Sequence, residues 1–146
     1  MSLTTSNSSQ LHHIVTLMSR ESDQLLQEQL GIGLAQYKIL TTLHEHPKVQ
    51  QKVIANVLGQ TEASISRQIK LLHKKGMLIS PKNPQNQREH IASLTPRGMQ
   101  LITAAETVLD SFHRTFFTSL SHKQQEQLGD ILDTLHNKVC LLQHPA

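Results

Sequence analysis

A chain of 146 residues has the length of one ordinary domain, and with 37% apolar residues it can bury a core. It has no Trp, one Tyr and three Phe, so that core must come from Leu, Ile, Val and Ala, a set that suits helices. The single cysteine, Cys140, excludes an internal disulfide and fits a reducing cytoplasm, and no apolar run is long enough to cross a bilayer.

The net charge of +3 is unevenly spread. Residues 1–60 carry four charges of each sign, and residues 95–146 carry four basic and five acidic. Between Thr61 and Ile91 stand Arg67, Lys70, Lys74, Lys75, Lys82 and Arg88 against Glu62 and Glu89, a local +4. Excess positive charge confined to one segment is what a phosphate-facing surface requires. Anionic lipid would need a long basic amphipathic helix with bulky aromatics, and none is present, so no membrane partner is expected.

In chain order, the first ten residues are rich in Ser, Thr and Asn, lack the apolar core of a signal peptide, and are expected to fray. Leu11, Ile14, Val15, Leu17, Met18, Leu25, Leu26 and Leu30 then give a long helical pattern that breaks at Gly31-Ile32-Gly33. A second helix reads from Leu34 to His44, with Tyr37, Ile39, Leu40 and Leu43 apolar, and Pro47 marks the next turn. A third spans roughly Gln50 to Leu58, with Val53, Ile54, Val57 and Leu58 expected on its buried side and Gly59 closing it.

The stretch from Thr61 to Gly76 predicts a fourth helix with two unlike faces. Ile65, Ile69 and Leu72 recur at i, i+4 and i+7 and line one side. Ala63, Ser64, Arg67, Gln68 and Lys70 occupy the other, a small and hydrogen-bonding face that fits a major groove, where Arg forks onto guanine and Gln onto adenine. Thr61 and Glu62 suit its start, and Lys74, Lys75 and Gly76 its end. Two short helices joined through a glycine turn, the second with a polar reading face, form a helix-turn-helix.

After Gly76 the pattern turns extended. Met77 to Ser80 and Arg88 to Leu94 predict two strands around a polar, turn-rich tip, a hairpin placed where a winged helix carries its wing. Thr95-Pro96 predicts a fifth helix to about Ser119, striped by Met99, Ile102, Ala105, Leu109, Phe112 and Phe116. Ser121 and Gln124 form a capping box for a sixth, whose apolar face runs through Leu128, Ile131, Leu132, Leu135, Val139 and Leu142.

The order of these elements, together with VQQKVIANVLGQTEASISRQIKLLHKKGMLI and NQREHIASLTPRG, resembles the MarR family of bacterial transcriptional regulators over about residues 10–142. The resemblance implies a mainly α fold with a small β-hairpin wing. Residues 1–146 would form a single MarR-like domain, with a winged helix-turn-helix lobe at 34–97 and dimerisation helices at 9–30 and 98–144. It implies a homodimer that binds a pseudopalindromic operator in double-stranded DNA, usually as a repressor, and is released by a small-molecule effector, a metal or an oxidant. Thr61 and Ala63 lie on the DNA-facing stretch; Ser64, Arg67 and Gln68 fall where the family reads bases, Ser66 and Lys70 near backbone-contacting positions, and Arg88 where the wing arginine enters the minor groove. Two places depart from the family pattern. Asn86 stands where an acidic residue usually precedes the wing arginine, and Gln50 stands where Ser or Thr usually caps the third helix.

No Gly-flanked Ser elbow, Gly-rich phosphate loop or paired acids mark an enzyme, and no cofactor motif is present. The ten histidines lack the cysteine support and the i, i+4 spacing of a helical metal site. Cys140 reads as an inert thiol late in a dimer helix. The effector pocket is expected between the first helix, Tyr37 and the fifth helix. A protein-docking winged helix and a metal-responsive regulator of the same fold are the alternatives.

Overall fold

In the structure, a computed structural model that describes residues 1–79 and 92–143 (backbone alone for 140–143), helix α1 runs Leu3–Leu30 and starts well before Leu11. The expected fraying is replaced by a capped start: the Ser2 hydroxyl accepts from the Thr5 N–H at 3.2 Å. The Ser/Thr/Asn stretch is polar but holds neither Pro nor Gly, so nothing interrupts a helix once it is capped. Gly31, at φ 67°, ends α1 in the left-handed conformation that glycine adopts without strain.

Helix α2, Leu34–Glu45, follows after a very short connection. Gly33 has no side chain with which to cap it, and the cap comes from α1 instead: Asp23 Oδ1 accepts the Leu34 N–H at 2.8 Å while Oδ2 accepts from Gln27 Nε2 at 2.9 Å. A carboxylate at the positive end of α2 satisfies an orphan donor and the helix dipole together. A Cβ at position 33 would lie 3.0 Å from Asp23 Oδ1, so the bare backbone is what admits the cap.

Helix α3, Gln51–Leu58, buries Ile54 and Ala55 with Leu58 packed beside them. The expected burial of Val53 and Val57 does not occur; they are 45% and 66% exposed. Both packing neighbours of α3, namely α2 and the following helix α4, Glu62–Lys74, meet the face that positions 54, 55 and 58 share, and 53 and 57 lie one turn apart on its flank. Gln50 makes no side-chain cap hydrogen bond.

Strand β1, Leu78–Ile79, pairs antiparallel with β2, Ser93–Leu94, with Leu78 opposite Leu94 and Ile79 opposite Ser93. The tip expected between them, Arg88 included, lies outside the described residues. Helix α5, Pro96–Phe117, is tied to the hairpin root through Thr95: its hydroxyl donates to Gly76 O at 2.7 Å and accepts from the Gly98 N–H at 3.1 Å, and its own N–H donates to Met77 O at 3.1 Å. Helix α6, His122–Gln143, begins with the expected reciprocal capping box, Ser121 N–H to Gln124 Oε1 at 2.9 Å and Gln124 N–H to Ser121 Oγ at 3.2 Å.

The chain divides into two units, Met1–Leu109 and Asp110–Ala146. In the first, α2 packs against α1, α3, α4 and β2, around a core that includes Leu26, Ile39, Leu40, Ile54, Ile65, Leu72, Leu78 and Ile102. In the second, Phe112 and Phe116 meet edge to face at 4.9 Å, and Gln125 Nε2 donates to Phe117 O and Leu120 O across the turn before α6. Ile131, Leu132, Leu135 and Val139 stand exposed along α6. Among the described residues no helix is long and apolar enough to cross a membrane.

A Cβ at position 98 would run into the Met77 carbonyl oxygen. Gly98→Ala therefore forces the start of α5 away from the hairpin root and is expected to lower stability by about 1–3 kcal/mol, the usual cost of overpacking. Urea unfolding checks this; an unchanged midpoint would mean that the contact relaxes at no cost.

Candidate nucleic-acid interface

The helix-turn-helix is built by α3, the Gly59 turn and α4. Gly59, at φ 62°, closes α3, and Gln60 N–H donates back to Ala55 O at 2.9 Å. Thr61 takes extended backbone and its hydroxyl accepts the Ser64 N–H at 3.1 Å, while Glu62 places a carboxylate in the first turn. The start of α4 is thus fixed locally, by a cap and a charge.

Its orientation is fixed by the opposite face. Ile65, Ile69 and Leu72 are buried against α2, α3 and β1, so the residues between them must point outward. Thr61, Ala63, Arg67 and Lys70 are exposed, with Lys74 continuing the same stripe; Ser64, Ser66 and Gln68 are half-buried at its edges. The Ser64 hydroxyl donates to Gln60 Oε1 at 3.1 Å. Among the described residues nothing forms an ion pair with Arg67, whose guanidinium remains available to an outside partner. Seven of the eight sequence-predicted site residues therefore share one helix and its cap, and the eighth, Arg88, lies outside the described residues.

Three residues behind this face were not among the sequence-predicted site residues. Gln36 of α2 is 8% exposed, and its Nε2 donates to Gln68 Oε1 at 3.0 Å. Lys75 Nζ donates to Gly31 O at 2.7 Å and to Gln36 Oε1 at 3.3 Å, and Asp23 holds the start of α2 as described. Gln36 had a legible signal: it precedes Ile39, Leu40 and Leu43 by three, four and seven residues, which puts a polar side chain on an apolar stripe. Beside these groups a cleft of about 410 Å³ opens between the end of α1, the start of α2 and α4, lined by Asp23, Gln27, Gly31, Gln68, Leu71 and Lys75.

Residues 32–90 match the MarR family model, a span that holds the helix-turn-helix and β1 and ends before β2. Over these residues the chain is similar to the MarR family. The HTH-type transcriptional regulator YdgJ of Bacillus subtilis (strain 168) is 23% identical over 109 residues, covering 75% of this chain and 66% of YdgJ, just under two thirds of that protein. A MarR/EmrR family regulator from Acinetobacter sp. ADP1 superposes with TM-score 0.77 at 21% identity, covering 95% of this chain and 98% of the other. MepR of Staphylococcus aureus, in its complex with DNA, superposes with TM-score 0.74 at 26% identity, covering 90% of this chain and 96% of MepR. The chain thus has the fold of MarR-type regulators, and its residues 32–90 match that family's model.

In this MarR-type lobe Tyr37 packs against the core, and its phenol is pushed above its ordinary pKa by burial first and then by Glu106 and Glu45, so it stays neutral at physiological pH. No three His, Cys, Asp or Glu side chains among the described residues stand close enough together to hold a metal ion.

Replacing Thr61 by Ala leaves the Ser64 N–H without its cap and is expected to cost about 1 kcal/mol of stability. Thermal or urea unfolding reads this directly, and a variant as stable as the parent would show that water replaces the cap in full.

Proposed function

We propose that the chain is a homodimeric repressor acting in the cytoplasm on a pseudopalindromic operator and released by a small molecule. One observation carries this reading: a capped helix whose back is locked into the core presents Arg67, with Ala63 and Lys70 beside it, to solvent without a partner ion among the described residues. In the proposal Ser64, Arg67 and Gln68 contact base edges in the major groove, while Thr61, Ser66 and Lys70 contact phosphates along the same helix. Arg88 of the wing keeps the minor-groove role that the resemblance assigns to it. The local +4 between Thr61 and Ile91 supplies the salt-dependent part of the affinity.

Dimerisation is supported by apolar surface that one subunit leaves open. Leu11, Ile14, Val15 and Leu17 of α1 are exposed, and so are Ile131, Leu132, Leu135 and Val139 of α6. Such stripes mark surfaces that a partner covers, here a second copy. On this reading residues 9–30 and 98–144 are dimerisation helices and 34–97 the DNA-binding lobe. A twofold pair would set its two α4 helices about 34 Å apart, one turn of duplex, so whatever changes that spacing changes affinity. The cleft beside Gln68 supports effector control, because a small polar ligand seated there would reach a residue of the reading face without competing for the DNA surface.

Arg67→Ala is expected to weaken operator binding about tenfold or more while leaving self-association intact. A gel-shift titration alongside light scattering separates the two, and unchanged operator affinity would remove Arg67 from the interface. Leu135→Glu is expected to convert the dimer to a monomer and to lose tight operator binding with it; a variant that keeps the parent's mass in light scattering would show that α6 is not the dimer surface.

A further inference from the structure

Lys75, Gln36 and Gln68 form a chain of hydrogen bonds with only one consistent polarity. An ammonium can only donate, so the end of Gln36 that meets Lys75 must be its oxygen, and this is the contact observed, Lys75 Nζ to Gln36 Oε1 at 3.3 Å. The other end of Gln36 is then its NH2 group, which also can only donate. It meets Gln68, and the atom of Gln68 that receives it is Oε1, at 3.0 Å. Lys75 is itself held in place by Gly31 O at 2.7 Å, and Gln36 is buried, so the polarity starts at an anchored cation and passes through a screened carboxamide.

From this geometry we infer that Gln36 and Lys75 are positioning residues that set which half of the Gln68 carboxamide reads DNA. With Oε1 drawn back to Gln36, Gln68 offers its NH2 group and reads as a donor. This inference rests on the proposed role of Gln68 at base edges and deepens it. A glutamine that recognises adenine needs oxygen and nitrogen together at the base edge, one accepting from N6 and the other donating to N7. A glutamine reading through its NH2 group instead favours guanine, with two acceptors at O6 and N7, or thymine, with O4, over adenine, whose N7 stands beside a competing N6 donor, and cytosine, which presents only a donor. The adenine contact expected from residue type alone is therefore replaced by a guanine or thymine contact.

The relay can be reversed by changing one atom. In Gln36→Glu the carboxylate still accepts from Lys75 but has nothing to donate, so Gln68 must turn its NH2 group inward and its oxygen outward. Gln68 then reads as an acceptor and favours the amino groups of adenine or cytosine. Lys75→Met removes the cation that sets the polarity, and Gln36→Leu removes the link; both free Gln68 to adopt either orientation.

The test is selection from a randomised duplex DNA library with the full-length protein, its Gln68→Ala variant and these three variants, all checked for folding by circular dichroism. At the base pair whose preference Gln68→Ala flattens, the parent is expected to favour guanine or thymine roughly fivefold or more. Gln36→Glu is expected to invert that preference toward adenine or cytosine, and Lys75→Met and Gln36→Leu to flatten it without inversion. A merely structural role for Gln36 would lower affinity at every sequence and invert nothing. Adenine preferred by the parent, or a parental preference kept in Gln36→Glu, overturns the inference while leaving Gln68 a base-reading residue. No base pair sensitive to Gln68→Ala overturns the inference together with the role of Gln68, and no enriched sequence at all overturns the proposed function as well. Should Gln36→Glu fail to fold, Lys75→Met decides, since a flattened preference supports the relay and an unchanged one overturns it.

Discussion

The burial of Ile65, Ile69 and Leu72 is the constraint on which the rest of this protein depends. Each fully buried side chain of this size contributes about 1.5–3 kcal/mol relative to exposure, whereas the Thr61 cap contributes about 1 kcal/mol. The back of α4 therefore outweighs its local start in holding the helix, and it also sets the rotation of α4 about its axis. Because an α-helix is rigid, fixing that rotation fixes where Arg67 points. Functional residues on this helix need no packing of their own, and their small or polar character is available for recognition.

Around that fixed helix the connections are short and mutually dependent. Asp23 of α1 caps α2, Gln36 of α2 meets Gln68 of α4, and Lys75 after α4 returns to Gly31 at the end of α1. This circuit links three helices through polar groups, next to an apolar core that packs the same helices together. Among the described residues no buried side-chain nitrogen or oxygen lacks a partner, as the high cost of an unpaired buried polar group requires. Thr95 and Gly98 do the corresponding work at the hairpin root, one by joining Gly76 and Met77 to α5 and the other by leaving room for the approach.

How much could be read in advance depended on whether an element's partners were local. The start of α4 at Thr61 and of α6 at Ser121 followed from caps that act within three residues, and both caps form. The back of α4 followed from its period. The face of α3 did not follow in the same way: with Val53, Ile54, Ala55, Val57 and Leu58 all apolar in eight residues, the period leaves two faces open, and contact with α2 and α4 selected Ile54, Ala55 and Leu58. The early start of α1 was missed because composition suggested a polar tail, whereas a single Ser2 cap and the absence of any breaker carry the helix forward to Leu3.

By itself the sequence determined the order of the elements, the helix-turn-helix, the location of the positive charge and the residue types on the face of α4, because each of these depends on spacing or chemistry within a few neighbouring residues. The tertiary structure alone decided which atoms of those residues are free. Gln68 could offer an oxygen, a nitrogen or both, and the choice came from Gln36, 32 positions away, and Lys75, 39 positions from Gln36. Hydrogen-bond polarity is passed along contacts between elements, and no pattern within one helix can contain it.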